Sequence, residues 1–194
     1  MSSVFRKIGG NRPGRSVFNL SYDKKFDCDM GQLIPVLAEE MVPGDKFMIG
    51  NELTLRFQPL VAPIMHEINV YVHYFFVPYR VLDGNWEGFI TGGVDGANAY
   101  ELPRDSRVIG QKLTLWDYLG LPVGAIPVNA VGKAPIMYPV YAYNLIYNEY
   151  YRDENLVAEK ELQYWVVRRR AWEKDYFTSA LPWQQRGVAP AAHW

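Results

Sequence analysis

DYFTSALPWQQRG, residues 175–187, is the stretch of this chain that most narrows its fold and function. It holds no nucleophile beside a base and no ligands spaced to converge on a metal. Tyr176, Phe177 and Trp183 instead offer large, stiff contact surfaces of the kind that anchor interfaces. Leu181-Pro182 stops any arriving helix and makes the backbone extended. We therefore predict that Tyr176, Phe177, Leu181 and Trp183 are structural or subunit-interface anchors.

The composition of the whole chain fits a packed protein. It has 194 residues, of which 49% are hydrophobic and 15% aromatic, enough to bury a core as one domain. Its net charge of −1 predicts no overall attraction to nucleic acid or to an anionic membrane. Cys28 is the sole cysteine, so no internal disulfide can form, which fits assembly in a reducing cytoplasm. No window reaches the ~18 apolar residues of a membrane helix, and no export signal is recognisable.

Residues 1–25 differ from the rest and are interpreted as a basic arm. Four basic side chains precede the first acidic residue, with glycine and proline among them: Arg6, Lys7, Arg12 and Arg15. One interpretation is a disordered, solvated tail, which is the common state of chain termini. The other is an arm that neutralises nucleic-acid phosphates without reading base sequence. The residues alone favour the tail.

Two segments show the alternation of a β-strand. Residues 46–57 place Leu53, Leu55 and Phe57 on one face. Residues 66–77 alternate more clearly, with one apolar face formed by Ile68, Val70, Val72, Tyr74 and Phe76. The opposite face is polar at its start and aromatic at its end. This pattern predicts a strand buried on one side in its own core and partly covered on the other by a neighbour.

Three segments have helical character instead. Residues 81–90 and 113–119 predict short helices, and residues 141–152 predict a longer one. The longer helix carries an aromatic stripe that we expect in the core, formed by Tyr143, Ile146, Tyr147 and Tyr150. Residues 161–170 are ambiguous, since their apolar set Leu162, Tyr164 and Val166 alternates as in a strand. Long proline-bearing loops lie between these segments, as expected where loops build subunit contacts.

No histidine or aspartate cluster predicts a metal site. His66 and His73 point to opposite faces of one predicted strand, so they cannot share a metal. Asp23, Asp27 and Asp29 could supply oxygen ligands to calcium, but the cluster lacks the glycine and the distal glutamate of an EF-hand. A solvated acidic turn is the favoured interpretation of these three carboxylates.

The remaining charged groups do not form a catalytic set either. The adjacent Glu39 and Glu40 diverge on any regular element and do not suit an acid–base pair. Residues 92–96 have neither the spacing of a dinucleotide fingerprint nor the lysine of a P-loop. Arg168-Arg169-Arg170 fits a solvated face, a carboxylate partner at a subunit contact, or a phosphate site, of which the first is commonest. We expect no enzymatic activity and no cofactor.

Five elements occur in a fixed order along the chain. They are SVFNLS (16–21), GQLIP (31–35) with VPGDKF (42–47), FFVPYR (75–80) with NWEGF (85–89), YNLIYNEYYRDEN (143–155) and DYFTSALPWQQRG (175–187). Together they resemble signatures of the major capsid proteins of the small single-stranded DNA phages, the Microviridae, and most of all of the gokushovirus branch. Members of that family are much longer, so this chain is expected to correspond to the N-terminal portion of the family protein.

The resemblance implies a mainly β fold, an eight-stranded antiparallel viral jelly roll with long loop insertions and short helices, to which residues 26–194 contribute the N-terminal part. It implies a subunit that self-assembles into a T=1 icosahedral shell around single-stranded DNA, with the four basic residues of the arm inside. The expected partners are further copies, the packaged DNA and other virion proteins, without a membrane. The expected location is the virion, assembled in the bacterial cytoplasm. The alternative is a single-stranded nucleic-acid-binding module that uses the basic arm and aromatic stacking.

Overall fold

The computed structural model describes residues 14–105, 109–125, 134–171, 173–177 and 179–180. The ordered elements within them are short and mostly helical. They are α1 (Tyr79–Leu82), α2 (Trp86–Thr91), a 3₁₀ turn (Val94–Gly96), β1 (Ile109–Gly110), α3 (Leu115–Tyr118), β2 (Gly124–Ala125), α4 (Tyr138–Ile146) and a π-helical turn (Tyr147–Tyr151). β1 and β2 pair in antiparallel register. None of the helices in the described residues has the length and apolar character to cross a membrane.

α4 and the π-helical turn form the longest ordered element and confirm the predicted helix at 141–152. The helix begins earlier than predicted because Pro139 lies in its first turn, where proline removes no helical hydrogen bond. The aromatic stripe is only partly in the core. Tyr147 is buried and Tyr143 half-buried, whereas Tyr150 is 69% exposed, so the prediction was wrong for that residue.

The predicted helix at 81–90 is present as two pieces, α1 and α2. The break falls at Asp83, whose carboxylate accepts a hydrogen bond of 2.9 Å from the backbone N–H of Asn85. Such a local bond competes with helix continuation and explains the break. α2 ends at Gly92, whose φ of 80° is the left-handed conformation that closes many helices and that glycine adopts without strain. The helix predicted at 113–119 is confirmed as α3.

The core of the described residues lies between α3, α4 and the segment that follows them. Its buried members are Leu115, Trp116, Met137, Val140 and Trp165, with the indoles of the two tryptophans 4.7 Å apart. In residues 161–170 the buried side chain is therefore Trp165, while Tyr164 and Val166 are exposed. The sequence left this segment ambiguous, and in the structure it forms no strand beyond the isolated pairing at Arg169. Trp165 is its buried residue because it packs against Trp116.

Gly110 is required by a close approach in this core. A Cβ at that position would lie 2.5 Å from Nε1 of Trp116 and 2.6 Å from the carbonyl oxygen of Pro122. Those two atoms are themselves joined by a hydrogen bond of 2.7 Å. The backbone of β1 therefore covers a buried indole N–H and its acceptor, and only glycine leaves room for both.

The segments predicted as strands, residues 46–57 and 66–77, form no hydrogen-bonded strand in the part of the chain described. Every residue from 36 to 76 is exposed, including the apolar faces predicted for both segments. A strand needs a second strand for its backbone hydrogen bonds, and no second strand is paired with these segments among the described residues. The eight-stranded jelly roll therefore stays a prediction.

Candidate functional site

The structure describes one of the four residues predicted to contact DNA. Arg15 is exposed, and its Nη1 donates a hydrogen bond of 2.9 Å to the carbonyl oxygen of Gly44. This bond ties the arm to the turn at Val42–Asp45, where the N–H of Asp45 donates to the carbonyl of Val42. Arg6, Lys7 and Arg12 lie outside the described residues.

Two of the four predicted anchor residues are described, and both face solvent. Tyr176 is 88% exposed and Phe177 is 84% exposed, and their rings meet edge to face at 5.4 Å. Neither side chain contributes to the core, so these two residues are not anchors of the fold within the described residues. That they anchor a subunit interface stays a prediction, since exposed aromatic pairs of this kind are typical of contact surfaces. Leu181 and Trp183 lie outside the described residues.

Two buried asparagines on one face of the long helix hold residues 160–164 against it. Asn144 is wholly buried, and its Nδ2 lies 2.9 Å from the carbonyl oxygen of Leu162 and 2.8 Å from that of Tyr164. Asn148 is 1% exposed, donates to the carbonyl of Lys160 at 2.7 Å and accepts from the N–H of Lys160 at 3.0 Å. We call this pair the asparagine ladder. It supplies hydrogen-bond partners to backbone groups of residues 160–164, a segment with no regular secondary structure.

The arginine triplet Arg168–Arg170 is engaged within the chain. Arg168 donates through Nε and Nη2 to Oδ1 of Asn144 at 3.3 Å each, and its guanidinium lies 5.6 Å from the ring centroid of Tyr147. The guanidinium of Arg170 lies 5.5 Å from the ring of Tyr71. Two of the three arginines thus lie over tyrosine rings, where a planar guanidinium can stack as well as attract the ring electrostatically. Arg168 is half-buried and Arg170 is exposed, so of these two the interpretation as a solvated face fits only Arg170.

The third arginine binds a segment from the start of the chain. Arg169 forms an ion pair of 2.6 Å with Asp29 and donates to the carbonyl of Met30 at 2.9 Å. Asp29 therefore has a cationic partner and is not a free member of an acidic turn. Both side chains of the ion pair are more than half exposed, so its contribution to stability is small. No group of three or more histidine, cysteine or acidic side chains is placed to hold a metal within the described ranges.

Residues 24–40, which we call the strap, cross α3, α4 and the arginine triplet. The N–H of Leu33 donates to Arg168 at 2.9 Å and the N–H of Arg170 donates to Gly31 at 2.9 Å, an antiparallel pairing centred on Gln32 and Arg169. Tyr143 completes this pairing, because its hydroxyl donates to the carbonyl of Leu33 at 2.9 Å and accepts from the N–H of Arg168 at 2.7 Å. Burial raises the pKa of Tyr143 to about 12, against the lowering effect of Arg168.

The strap has further contacts at both ends. The ammonium group of Lys24 donates to the carbonyl oxygens of Pro35 and Tyr118, and the hydroxyl of Tyr118 donates to the carbonyl of Asp27 at 2.7 Å. Burial lowers the pKa of Lys24, while Asp117 acts in the opposite direction. At the other end, Glu40 is hydrogen-bonded to Tyr79, whose pKa is raised by burial and then by this carboxylate.

Asp83 is a second buried polar centre, and sequence reasoning did not identify it. Its carboxylate is 9% exposed and accepts hydrogen bonds from the hydroxyls of Tyr100 and Tyr138 and from the N–H of Asn85. Burial alone would raise the pKa of Asp83, but these three bonds outweigh it and the pKa is lowered. The hydrogen bond that Tyr100 donates to Asp83, together with burial, raises the pKa of Tyr100 to about 12. Asp83 thus joins the α1–α2 corner to the start of α4.

The aromatic face predicted for residues 66–77 packs on the end of the long helix. The ring of His73 is stacked on Tyr151 with centroids 5.8 Å apart, and its Nδ1 lies 2.5 Å from the hydroxyl of that tyrosine. The ring of Phe75 lies 5.0 Å from that of Tyr150. The predicted neighbour on this face is therefore the chain itself. The opposite, apolar face stays open, with Phe76 73% exposed.

The chain is similar to capsid proteins of small phages. The capsid protein (F protein) family matches residues 6–192. Capsid protein VP1 of Chlamydia phage 1 is 35% identical in an alignment covering 96% of this chain and 36% of the relative. Capsid protein VP1 of Bdellovibrio phage phiMH2K is 32% identical over 95% of this chain, and that of Spiroplasma virus 4 is 24% identical over 95%.

The match extends through the arm, the strap, the asparagine ladder and most of the residues beyond them. The chain spans 36–37% of the length of these curated relatives. The resemblance to microvirus capsid proteins that the five ordered elements carry is confirmed. The chain belongs to the phage capsid protein (F protein) family.

Proposed function

We propose that the chain is part of a major capsid subunit that self-assembles into a closed T=1 icosahedral shell around single-stranded DNA. The observation that carries the proposal is the family match over residues 6–192, together with relatives whose name is capsid protein VP1. In such a shell the free energy comes from interface burial multiplied over many repeated contacts. The subunit would act in the virion with further copies and with other virion proteins.

The exposed apolar surface supports a role in association. The predicted strand faces at 46–57 and 66–77 leave Leu55, Phe57, Val70 and Phe76 between 47% and 73% exposed. A monomeric soluble protein rarely exposes contiguous apolar surface on this scale, because covering it is favourable by about 25 cal/mol per Å². We propose that these segments become strands of an antiparallel jelly roll when the rest of the capsid subunit lies beside them.

Electron microscopy and sedimentation velocity test the assembly. Two proteins are expressed separately. One is this chain alone, and the other is this chain joined to the remainder of a full-length family capsid protein. We expect uniform closed particles from the longer protein, and aggregates or small oligomers from this chain alone. A well-behaved monomer in both samples would contradict the capsid proposal and direct attention to DNA binding.

The basic arm is proposed to contact the packaged DNA inside the shell. Replacing Arg6, Lys7, Arg12 and Arg15 together by alanine removes four positive charges and should lower the DNA content of particles without changing their size. Lys46, Arg56, Arg80 and Lys112 are exposed basic residues outside the arm, and replacing these four together by alanine is the matched control because it removes the same number of positive charges. Equal DNA content in the two sets of particles would contradict a role for the arm. Nuclease-treated particles and their absorbance ratio provide the measurement.

A DNA-binding module is not favoured by the described residues. The arginine triplet was the main internal candidate for a phosphate site, and its three guanidinium groups contact Asn144, Asp29, Glu173 and two tyrosine rings within the chain. Phosphate binding there would have to break those contacts. The function that we propose therefore assigns DNA contact to the arm and association to the exposed apolar surface.

A further inference from the structure

The two predicted strand segments leave their apolar sides uncovered. The side chains concerned alternate along each segment and are all exposed: Leu53, Leu55, Phe57, Ile68, Val70, Val72 and Phe76. We call them together the open face. A monomeric soluble protein rarely leaves contiguous apolar surface of this kind in water, so a partner is expected on it.

A hydrogen bond brings the two segments together. The hydroxyl of Tyr74 donates to Oδ1 of Asn51 at 2.6 Å. Tyr74 alternates with the apolar residues of 66–77 and Asn51 with those of 46–57, so the bond places both apolar sides toward one region. Residues 58–65 are too few for the crossover of about a dozen residues that parallel strands need, so as strands the segments would run antiparallel. The open face is therefore a single surface.

The opposite side of residues 66–77 already has its neighbour within the chain. His73 is stacked on Tyr151, and the ring of Phe75 lies 5.0 Å from that of Tyr150. These contacts hold the segment on the end of the long helix, so its orientation is already set. The open face is left for a partner, together with the backbone of the segment, which pairs with no second strand among the described residues.

The size of the related capsid proteins points to that partner. This chain spans only 36–37% of their length, so most of each relative lies outside the match. Two segments do not form a stable sheet alone, and further strands are needed to pair with their backbones and to cover an apolar face. In the described residues the other strands, β1 and β2, have two residues each and pair with one another. A second copy of this chain would bring the same two incomplete segments and no further strand in its described residues.

We propose that the open face is a docking surface for the portion of the family capsid protein outside the match, and that this portion binds by adding strands even when no peptide bond joins the two. Added strands would pair with the backbone of residues 46–57 and 66–77, while their alternate apolar side chains cover the open face. The inference rests on the proposal that this chain is part of a capsid subunit. It names the partner of the exposed apolar surface and makes their contact noncovalent.

Cutting a joined protein tests the docking. This chain is joined to the portion of Chlamydia phage 1 capsid protein VP1 that lies outside its match, with a protease site at the junction. The joined protein is purified, cut, and studied by size exclusion and by sedimentation equilibrium at falling concentration. We expect the two parts to stay together after cutting. Separation of the parts at micromolar concentration would overturn the docking proposal.

Val70→Lys and Val166→Lys form a matched pair of variants, because both valines are exposed to a similar degree and only Val70 lies on the open face. Val70→Lys puts an ammonium group into the surface to be covered, so it should weaken the association of the cut parts at least about ten-fold. Val166→Lys should leave that association within about two-fold. Equal weakening by the two variants would overturn the open face as the docking surface.

Hydrogen exchange supplies a measurement that needs no variant. The amides of residues 68–76 should exchange at least about 100-fold more slowly in the cut complex than in the chain alone, while those of α4 should be unchanged. Unchanged exchange at 68–76, or the same protection in a dimer of the chain alone, would overturn the remaining capsid protein as the occupant.

Electron microscopy of the uncut protein separates this inference from the proposed function. Particles from an uncut protein whose cut parts separate would refute the docking alone. Cut parts that stay together, from an uncut protein that forms no particles, would support the docking and refute the assembly of a shell.

Discussion

Asn144→Ala is expected to lower the free energy of unfolding by about 2–4 kcal/mol. The side chain is wholly buried, and its Nδ2 is the hydrogen-bond donor for the carbonyls of Leu162 and Tyr164. An acceptor that loses its partner inside a protein costs about 1–3 kcal/mol, and here two acceptors lose theirs. The guanidinium of Arg168 loses its acceptor Oδ1 at the same time.

Two further variants separate the hydrogen bonds from the volume of the side chain. Asn144→Leu keeps the core filled but restores none of the polar contacts, so it should be destabilised nearly as much as the alanine variant. Asn51→Ala is the matched control, because Asn51 is exposed and accepts one hydrogen bond, and its cost should stay below about 1 kcal/mol.

Urea unfolding followed by tryptophan fluorescence is the appropriate assay. The indoles of Trp116 and Trp165 lie 4.7 Å apart beside the asparagine ladder, so their emission reports the packing that Asn144 maintains. A midpoint for Asn144→Ala equal to that of Asn51→Ala would refute the reasoning. It would mean that the segment 160–168 is held by the packing of Trp165 rather than by hydrogen bonds to the helix.

Three other outcomes follow from the described contacts. Gly110→Ala should cost at least about 2 kcal/mol in urea unfolding, because its Cβ has no room in the core, whereas Gly50→Ala meets nothing within 4 Å and should be neutral. The pKa of Asp83 is lowered, so the stability that its carboxylate contributes is present above pH ~4 and lost as the pH falls through the folded value. Asp83→Asn should then lower the urea midpoint at pH 7 and flatten its decline between pH 5 and pH 3. Tyr176→Ala with Phe177→Ala should leave stability within about 0.5 kcal/mol, since both rings are exposed, but should reduce particle yield in electron microscopy.

The helices were the part of the fold that local sequence could predict. α3 and α4 follow from apolar residues at helical spacing, and the turn at Val42–Asp45 follows from its proline and glycine. Periodicity uses only neighbours a few residues away, and these elements depend on little else. The break at Asp83 was missed because it comes from a side chain that bonds its own backbone instead of continuing the helix.

The polar centres could not be predicted, for a different reason. Asn144 and Asn148 lie on a helix face between aromatic residues, where a polar residue ordinarily indicates the solvent side. Their burial depends on the backbone of residues 160–164, which has no pattern of its own that requires an asparagine partner. The signal that could have identified them is their four-residue spacing, which places both amides on one helix face.

The strap and the helices differ in character from residues 46–77, and this difference bears on how a capsid subunit of this family would associate. The helices, the segment 160–171 and the strap are joined by hydrogen bonds whose donors and acceptors are each matched, at Asn144, Asn148, Tyr143 and Arg169. Such bonds add little net free energy but strongly disfavour every other alignment, since a shift would leave buried groups unpaired. The apolar residues between 46 and 77 have the opposite character, because burial of their surface is favourable with almost any apolar partner. The polar contacts therefore give the strap and the helices one specific alignment, whereas the exposed apolar faces between 46 and 77 supply the driving force for being covered. Burial of the apolar faces at 46–77 should therefore contribute most of the free energy of association, while the polar contacts fix how the strap lies on its own helices.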